Sequence, residues 1–203
     1  MASGLIFDPR TLLRTAPLIT STCTLWYSLD QDFFLNIFLH PDHRTRSNEF
    51  LPSYFRVFFV PGTLRVLALL ALTLTGGGYN ILERQSALGS SASLPWYTAG
   101  TLLAASHLLF VPAVAPKIQA VIEDASQGSS TTDLERWLTV HRMRTWTVDL
   151  AAWACFVVGV SIVDDIDAGC RAVAWIRGIS AWLKTLEYSG LHALSNHTFK
   201  TQP

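Results

Sequence analysis

Long apolar runs, separated by short polar segments, dominate the hydrophobic pattern of this chain. Each of four such runs is close to the roughly 20 mostly apolar residues that a helix needs to cross a bilayer. The pattern therefore predicts an all-α membrane protein, with a four-transmembrane-helix bundle contained in residues 1–168. The predicted spans are residues 15–39, 58–82, 96–114 and 140–163.

The last predicted span begins outside the membrane. Thr132 and Glu135 have the spacing of a capping box, so we expect the helix to begin there and to run on into residues 140–163. Further along, from Cys170 to Tyr188, large apolar residues recur on one face and charged residues lie opposite. Residues 169–203 are therefore predicted to form a C-terminal amphipathic interfacial helix and a tail.

The composition agrees with a membrane protein. Half of the 203 residues are hydrophobic and 15% are charged, against about 25% in a typical soluble domain. The 15 Lys and Arg residues equal the 15 Asp and Glu residues in number. The chain therefore lacks the basic excess that would indicate a nucleic-acid partner. We expect an integral membrane protein of the endoplasmic reticulum or a related endomembrane, with the lipid bilayer as a partner. Formation of a homo-oligomer is left open.

Several function classes lack their usual motifs. The three cysteines are an odd number without a CxxC pair, which predicts neither a disulfide framework nor a zinc site. The sequence has no GxGxxG or GxxxxGK[ST] phosphate loop and no HExxH motif. Thiol redox chemistry and nucleotide binding through such a loop are therefore not expected.

Polar residues at membrane depth are the first candidates for function, because they are costly to place in lipid. In the first span, Ser28, Asp32 and Asn36 recur every four residues and form one hydrophilic stripe. Such residues can hold helices together through hydrogen bonds, although that role does not require a carboxylate. Asp32 is therefore a catalytic candidate, with Ser28 and Asn36 as substrate-binding candidates.

His107 lies in the middle of the third span, among apolar residues. Gly100 and Ala104 precede it on the same face, so another helix can approach closely there. The sequence leaves two interpretations open. His107 is either a neutral, hydrogen-bonded packing residue or a proton acceptor or metal ligand that faces the bundle interior.

The last span carries a second polar group. Trp137, His141 and Arg144 share one face of the predicted helix. Asp149 belongs to the neighbouring face, in a row that also contains Arg142, Trp146 and Trp153. A carboxylate at that depth needs a partner, and we expect either Arg65 or His107 to supply it.

The segment from Trp137 to Arg144, WLTVHRMR, resembles the Trp…His/Asn…Arg signature of the anthrone oxygenase-like family of small membrane proteins of fungal polyketide pathways. The polar first span, the segment LPSYFR at 51–56 and the third span with Pro112 are similar to that family as well. The resemblance extends from about Leu18 to Val163. After Pro116 the family tends to have Thr-Asn, where this chain has Lys-Ile.

The resemblance implies a monooxygenase that converts an anthrone-type carbon of a lipophilic aromatic polyketide into a quinone carbonyl. Removal of one proton gives an enolate that reacts with O₂, so the protein needs a base and a group that holds the enolate oxygen. His141 or His107 would be the base, Arg144 would hold the oxygen, and Asp32 would orient the histidine or relay the proton. The substrate-binding candidates are Ser28, Asn36, Arg65, Trp137 and Asp149.

This scheme requires O₂ as co-substrate and no redox cofactor, and no metal site is predicted. Iron or copper held by His107, His141 and a carboxylate is left open, because ligands on separate helices leave no sequence signature. Two other functions remain open as well. They are a membrane cyclase or isomerase without redox chemistry, which would not consume O₂, and a non-enzymatic scaffold, in which the polar residues would not converge.

Overall fold

The computed structural model describes residues 9–86 and 92–162, and all regular structure within these residues is helical. The predicted all-α class is therefore confirmed for the described part of the chain. The predicted amphipathic helix at 170–188 lies outside the described residues. The proposed boundary between residues 168 and 169 likewise stays a prediction.

Four helical rods make up the described chain, and two of them contain an irregular turn. The third rod joins α3 to α4 through a 3₁₀ turn at His107–Phe110, and the fourth joins α5 to α6 through a π-helical turn at Thr145–Asp149. The helices are α1 Pro9–Ile37, α2 Pro41–Ser86, α3 Leu94–Ser106, α4 Val111–Ile122, α5 Ser130–Arg144 and α6 Leu150–Ser161.

Three of these rods are long and apolar enough to cross a membrane: Pro41–Gln85, Leu94–Ile122 and Ser130–Ser161. The helix α1 has 29 residues, which is long enough, but it is too polar to be counted with them. Its many Ser and Thr residues, together with Asp30 and Asp32, lower its hydropathy. The structure thus supports a helical membrane protein with three such helices, and the first predicted span, residues 15–39, is not confirmed.

The helix α2 is much longer than its predicted span, because it begins at Pro41 rather than near residue 58. Proline is well tolerated in the first turn of a helix, where its missing N–H has no partner to lose. The added turns bury Leu51 and Phe55 in a core with α5 residues such as Leu134 and Trp137. An apolar contact with a neighbouring helix, rather than with lipid, therefore explains this part of α2.

The start of α5 also differs from the prediction. The helix begins at Ser130, and no side chain of its own caps it, so the capping box expected at Thr132 and Glu135 is wrong. Instead, the Asn48 side chain on α2 accepts a hydrogen bond from the Thr131 backbone N–H at 2.9 Å. A long-range contact thus satisfies a backbone N–H at the start of α5, which the local motif was expected to do.

A close approach between α3 and α6 sets the position of His107. A Cβ added at Gly100 would lie 2.9 Å from the Phe156 ring, so only a residue without a side chain fits there. One turn further, Ala104 packs with Ala152 in a small core. The predicted close packing at Gly100 and Ala104 is therefore confirmed, and it brings the end of α3 against the fourth rod.

Candidate active site

Four buried ionisable side chains meet inside the bundle. Their exposed fractions are 6% for His107, 1% for His141, 7% for Arg144 and 7% for Asp149. Two irregular turns supply His107 and Asp149, while α5 supplies His141 and Arg144. Buried charges of this kind are stable only when they are paired, so their partners define the site.

Pro112 accounts for the turn that carries His107. Proline has no N–H, and its ring collides with the carbonyl four residues earlier, which here belongs to Leu108. The helix tightens at this point, and the Val111 N–H bonds to the Leu108 carbonyl with 3₁₀ spacing. His107 is the first residue of this 3₁₀ segment.

The π-helical turn accounts for the position of Asp149. Leu150 donates its backbone N–H to the Thr145 carbonyl five residues earlier, so the turn holds one residue more than an α-helical turn. This rotates Asp149 toward Arg144 and away from Arg142. The predicted placement of Asp149 on the Arg142 face is therefore wrong, because regular α-helical spacing does not hold across this turn.

Asp149 joins His107 to Arg144. Its Oδ1 lies 3.0 Å from Nδ1 of His107, and its Oδ2 accepts a hydrogen bond from Nε of Arg144 at 3.2 Å. An ionised carboxylate only accepts hydrogen bonds, so Nδ1 of His107 carries the proton. In the neutral ring the lone pair is then on Nε2, for which the structure records no partner among the described residues. His107 thus has the arrangement of an oriented general base.

His141 is held differently. Its Nε2 lies 2.9 Å from the backbone carbonyl of Ser28, which accepts only, so this nitrogen carries the proton. Its Nδ1 therefore has the lone pair, and it accepts a hydrogen bond from Nη2 of Arg144 at 3.2 Å. Because both ring nitrogens are engaged, His141 positions Arg144 and has no free lone pair for a substrate proton.

Aromatic packing fixes this arrangement. The Trp137 ring stacks on His141, with centroids 4.8 Å apart and planes 19° apart, and meets Phe55 edge-on at 6.0 Å. Nη2 of Arg144 also donates to the Ser28 hydroxyl at 3.4 Å. Helices α1, α2 and α5 thus hold the guanidinium at one place.

An apolar cavity of about 160 Å³ adjoins this cluster. His107, His141 and Arg144 lie in its wall, together with two further polar residues, Gln31 and Thr63. The remaining wall is apolar, and five aromatic rings contribute to it: Phe55, Phe58, Phe59, Phe110 and Trp137. A cavity of this kind fits a lipophilic, preferably planar, molecule with a small number of oxygen functions.

Gln31 and Thr63 are wall residues that the sequence analysis missed. The structure records no hydrogen bond from either side chain to another described residue, so both are available to a ligand. A signal for Gln31 was present, because it follows Ser28 by three residues and so lies on the adjoining helical face. No comparable signal marks Thr63, since threonine is common in membrane helices.

Five of the candidates do not line this cavity: Ser28 and Asp149, which contact Arg144, and Asp32, Asn36 and Arg65, which do not. Arg142 donates from Nε to Asp32 at 2.6 Å and from Nη2 to the Asn36 side chain at 2.7 Å. Asp32 therefore pairs with a partly exposed arginine and contacts neither histidine. Arg65 is exposed on α2, while the next two residues along that helix line the cavity. The expected pairing of Asp149 with Arg65 is wrong, and its pairing with His107 is confirmed.

Within residues 9–86 and 92–162, no three His, Cys, Asp or Glu side chains are grouped as a metal-ligand set. The set considered from the sequence was His107, His141 and a carboxylate. In the structure the Arg144 guanidinium lies against Nδ1 of His141, the atom whose lone pair a metal would need. The cofactor requirement itself stays a prediction.

Comparison with known proteins identifies relatives in fungal biosynthetic clusters. The chain is 28% identical to the epoxidase pydX of Acremonium sp., covering 76% of this chain and 95% of that protein. It is 28% identical to the probable epoxidase scpX of Mollisia scopiformis, over 72% of this chain and 92% of that protein. It is also 29% identical to the oxaleimides biosynthesis cluster protein N of Penicillium oxalicum, over 73% of this chain and 86% of that protein.

No protein-family model and no solved structure matches the chain. The names of the relatives confirm the coarse expectation of an oxygenase-type enzyme. They support a family of fungal biosynthetic proteins, but not specifically the anthrone oxygenase-like family that the sequence resembles.

Proposed function

We propose that this chain is a membrane oxygenase that acts on a lipophilic, carbonyl-containing intermediate of a secondary-metabolite pathway, with O₂ as co-substrate. The observation that supports it most directly is the pairing of His107 with Asp149 and Arg144 at the wall of an apolar cavity. The names of the relatives add the oxygenase class.

The first step is removal of a proton from a carbon acid. Nε2 of His107 takes the proton, and Asp149 stabilises the imidazolium that forms, as a carboxylate does for a catalytic histidine. Arg144 stabilises the enolate oxygen that develops at the same time. Before the step, the Asp149 and Arg144 charges cancel. After it, the new imidazolium is balanced by the enolate, so the site gains no net charge.

The second step is addition of O₂. The electron-rich enolate carbon forms a bond to O₂, and the proton returns from His107 to give a hydroperoxide, so that C–H and O₂ become C–OOH. If the same carbon carries a second hydrogen, as in an anthrone, loss of water leaves a carbonyl. No external reductant is needed, and one oxygen atom ends in the product and the other in water.

The same hydroperoxide also accounts for an epoxide. Where a carbon–carbon double bond lies next to it, the outer oxygen atom can transfer to that bond, leaving an alcohol and an epoxide. Both oxygen atoms then stay in the product, and again no reductant is consumed. Anthrone oxidation and the epoxidations for which the relatives are named would thus share one base-generated intermediate, and the substrate would decide the outcome.

We further propose that α1 crosses the bilayer, which completes a four-span bundle in an endomembrane. Polar side chains of α1 contact the fourth rod: the Ser28 hydroxyl accepts a hydrogen bond from Arg144, and the Thr22 hydroxyl accepts one from the Trp153 indole at 3.0 Å. The outward side of α1 carries exposed Trp26 and Phe33, which suit contact with lipid. The polarity of α1 would then be shielded by protein.

Reconstituted protein supplied with anthrone and ¹⁸O₂ tests the function. We expect O₂ uptake equal to the anthraquinone formed, with one labelled atom in the new carbonyl. A variant with His107→Ala should lose this activity. If the protein instead converts a pathway intermediate equally fast without O₂, it is a cyclase or isomerase that uses the same proton transfer.

A further inference from the structure

Four residues in the cavity wall are also exposed at the outer surface: Leu67, Leu108 and Val111, and Ala115 one turn further along α4. Leu67 on α2, Leu108 in the 3₁₀ turn and Val111 at the start of α4 are 47%, 44% and 50% exposed. A residue that lines a cavity and is also exposed marks the side on which the cavity opens. The cavity therefore opens between α2 and the junction of α3 with α4.

The opposite side of the cavity is closed. Phe55, Trp137 and His141 line it with exposed fractions of 1%, 5% and 1%. A ligand that reaches His107 and Arg144 must therefore pass Leu67, Leu108 and Val111, which we call the portal.

The surface around the portal is apolar. On α2, Val60 and Leu64 are 59% and 61% exposed, and in the turn Leu109 is 77% exposed. Leu108 is also the middle residue of the apolar rod Leu94–Ile122, with 14 residues on either side. When this rod crosses a bilayer, its centre lies at the depth of the hydrocarbon core, far from either aqueous surface.

We infer that the substrate enters sideways from the hydrocarbon core of the bilayer, through the portal between α2 and α4. This inference rests on the proposed function and adds the class of substrate. The molecule must be uncharged when it enters, because a permanent charge is strongly disfavoured at that depth. Ionisation of its C–H bond then happens only inside the cavity, beside His107 and Arg144.

The portal also places this enzyme in a reaction sequence. A polyketide or peptide intermediate is charged, or tethered to a large soluble carrier, until a release reaction frees it. Such a tethered intermediate cannot reach an opening at the centre of the membrane. Release from the carrier, as a neutral ketone, lactone or lactam, must therefore precede this step.

Association rates of anthrone, measured without O₂ in lipid nanodiscs, test the route. Transfer of fluorescence energy from tryptophan to the ligand reports binding. The test variant is Leu67→Phe with Val111→Phe, which narrows the portal. The matched control is Leu72→Phe with Leu102→Phe, which adds similar bulk to the same two rods at exposed positions that do not line the cavity.

We expect association and release to slow together by about 10-fold in the portal variant, with the dissociation constant nearly unchanged, as for a narrowed gate. The control should match the unmodified protein. Equal association rates in both variants would overturn the portal. A fall in affinity with an unchanged association rate would overturn it too, because the residues would then only contact the bound ligand.

A second measurement uses anthrone that carries a ring carboxylate. We expect its association to be about 100-fold slower than that of anthrone, because the charge must cross the hydrocarbon core. Equal rates would mean that ligands enter from water and would overturn the inference. These binding measurements contain no O₂, so they do not depend on turnover. If anthrone binds through the portal but is not oxidised when O₂ is supplied, the proposed chemistry is refuted and the entry route stands.

Discussion

Nδ1 of His107 lies 3.0 Å from a carboxylate oxygen of Asp149, although the two residues are 42 positions apart and lie on different rods. Each of them belongs to an irregular turn, His107 to a 3₁₀ turn and Asp149 to a π-helical turn. Irregular turns inside long helices are frequent at functional sites, because they aim side chains in directions that a regular helix does not allow. The pair exists because both turns depart from α-helical spacing.

The different hydrogen bonding of the two histidines gives the first prediction. In His107→Ala, turnover should fall by roughly 10² to 10⁴, because the base is lost. In His141→Ala the fall should be smaller, about 10-fold, because Arg144 loses one of its contacts but the base remains. Steady-state turnover of anthrone by reconstituted variants checks both values.

Chemical rescue separates a base from a packing residue. Added imidazole should restore part of the activity of His107→Ala, since it can occupy the vacated space and accept the proton. It should not restore His141→Ala. Rescue of the His141 variant alone would reverse the assignment of the base.

The role of Asp149 gives the second prediction. In Asp149→Asn, the amide can turn its NH₂ group toward His107, which places the ring proton on Nε2 and removes the lone pair from the cavity. Turnover should fall by about 10² to 10⁴, as expected for a base held in the wrong tautomer. The measurement is turnover at saturating substrate, with size-exclusion chromatography and thermal unfolding to establish assembly.

Asp32→Asn is the matched control for this substitution. Asp32 was the carboxylate that the sequence favoured, but it pairs with Arg142 at 2.6 Å outside the cavity. The turnover of Asp32→Asn should stay within about 3-fold of that of the unmodified protein, because a partly exposed ion pair contributes little. A large loss in Asp32→Asn together with normal turnover in Asp149→Asn would restore the original assignment.

The contrast between Asp32 and Asp149 illustrates which parts of the fold and of the site can be predicted from the sequence. Apolar runs predicted helices near their observed places, and polar residues inside those runs predicted which ionisable side chains are buried within the bundle. His107, His141 and Arg144 were found in this way, because burial of ionisable groups is costly and therefore informative.

The rest depended on geometry that regular spacing does not encode. The π-helical turn moved Asp149 from the Arg142 face to the Arg144 face. The start of α5 was set by Asn48, which is 83 positions from its partner Thr131. The first error comes from a local departure from α-helical spacing, and the second from a contact between distant parts of the chain.

Gln31 gives the third prediction. Its amide lies in the cavity wall and can donate to a substrate oxygen and accept from a hydroxyl. In Gln31→Met, which keeps the length and removes the polar atoms, KM should rise by about 3- to 10-fold with turnover little changed. Kinetics with a hydroxylated anthrone provide the measurement.

The substrate itself supplies a control for this variant. With anthrone that has no ring hydroxyl, Gln31→Met should have the same KM as the unmodified protein, because no hydrogen bond is lost. Phe34→Leu, at an exposed position on the same helix, should leave KM unchanged with both substrates. An equal rise with both substrates would mean that Gln31 shapes the cavity and does not recognise an oxygen function.

The last prediction concerns metal removal. The proposed steps use a base, an oxyanion partner and O₂, and the Arg144 guanidinium lies 3.2 Å from Nδ1 of His141. A cation placed on that nitrogen would have to displace the guanidinium, which Asp149 and Ser28 also hold. Reconstituted enzyme should therefore keep its full turnover after prolonged dialysis against a strong chelator. The opposite outcome is that the chelator abolishes activity, that added iron or copper restores it, and that the metal does not restore it in His141→Ala. That outcome would replace the base-and-oxyanion mechanism by metal-dependent oxygen activation.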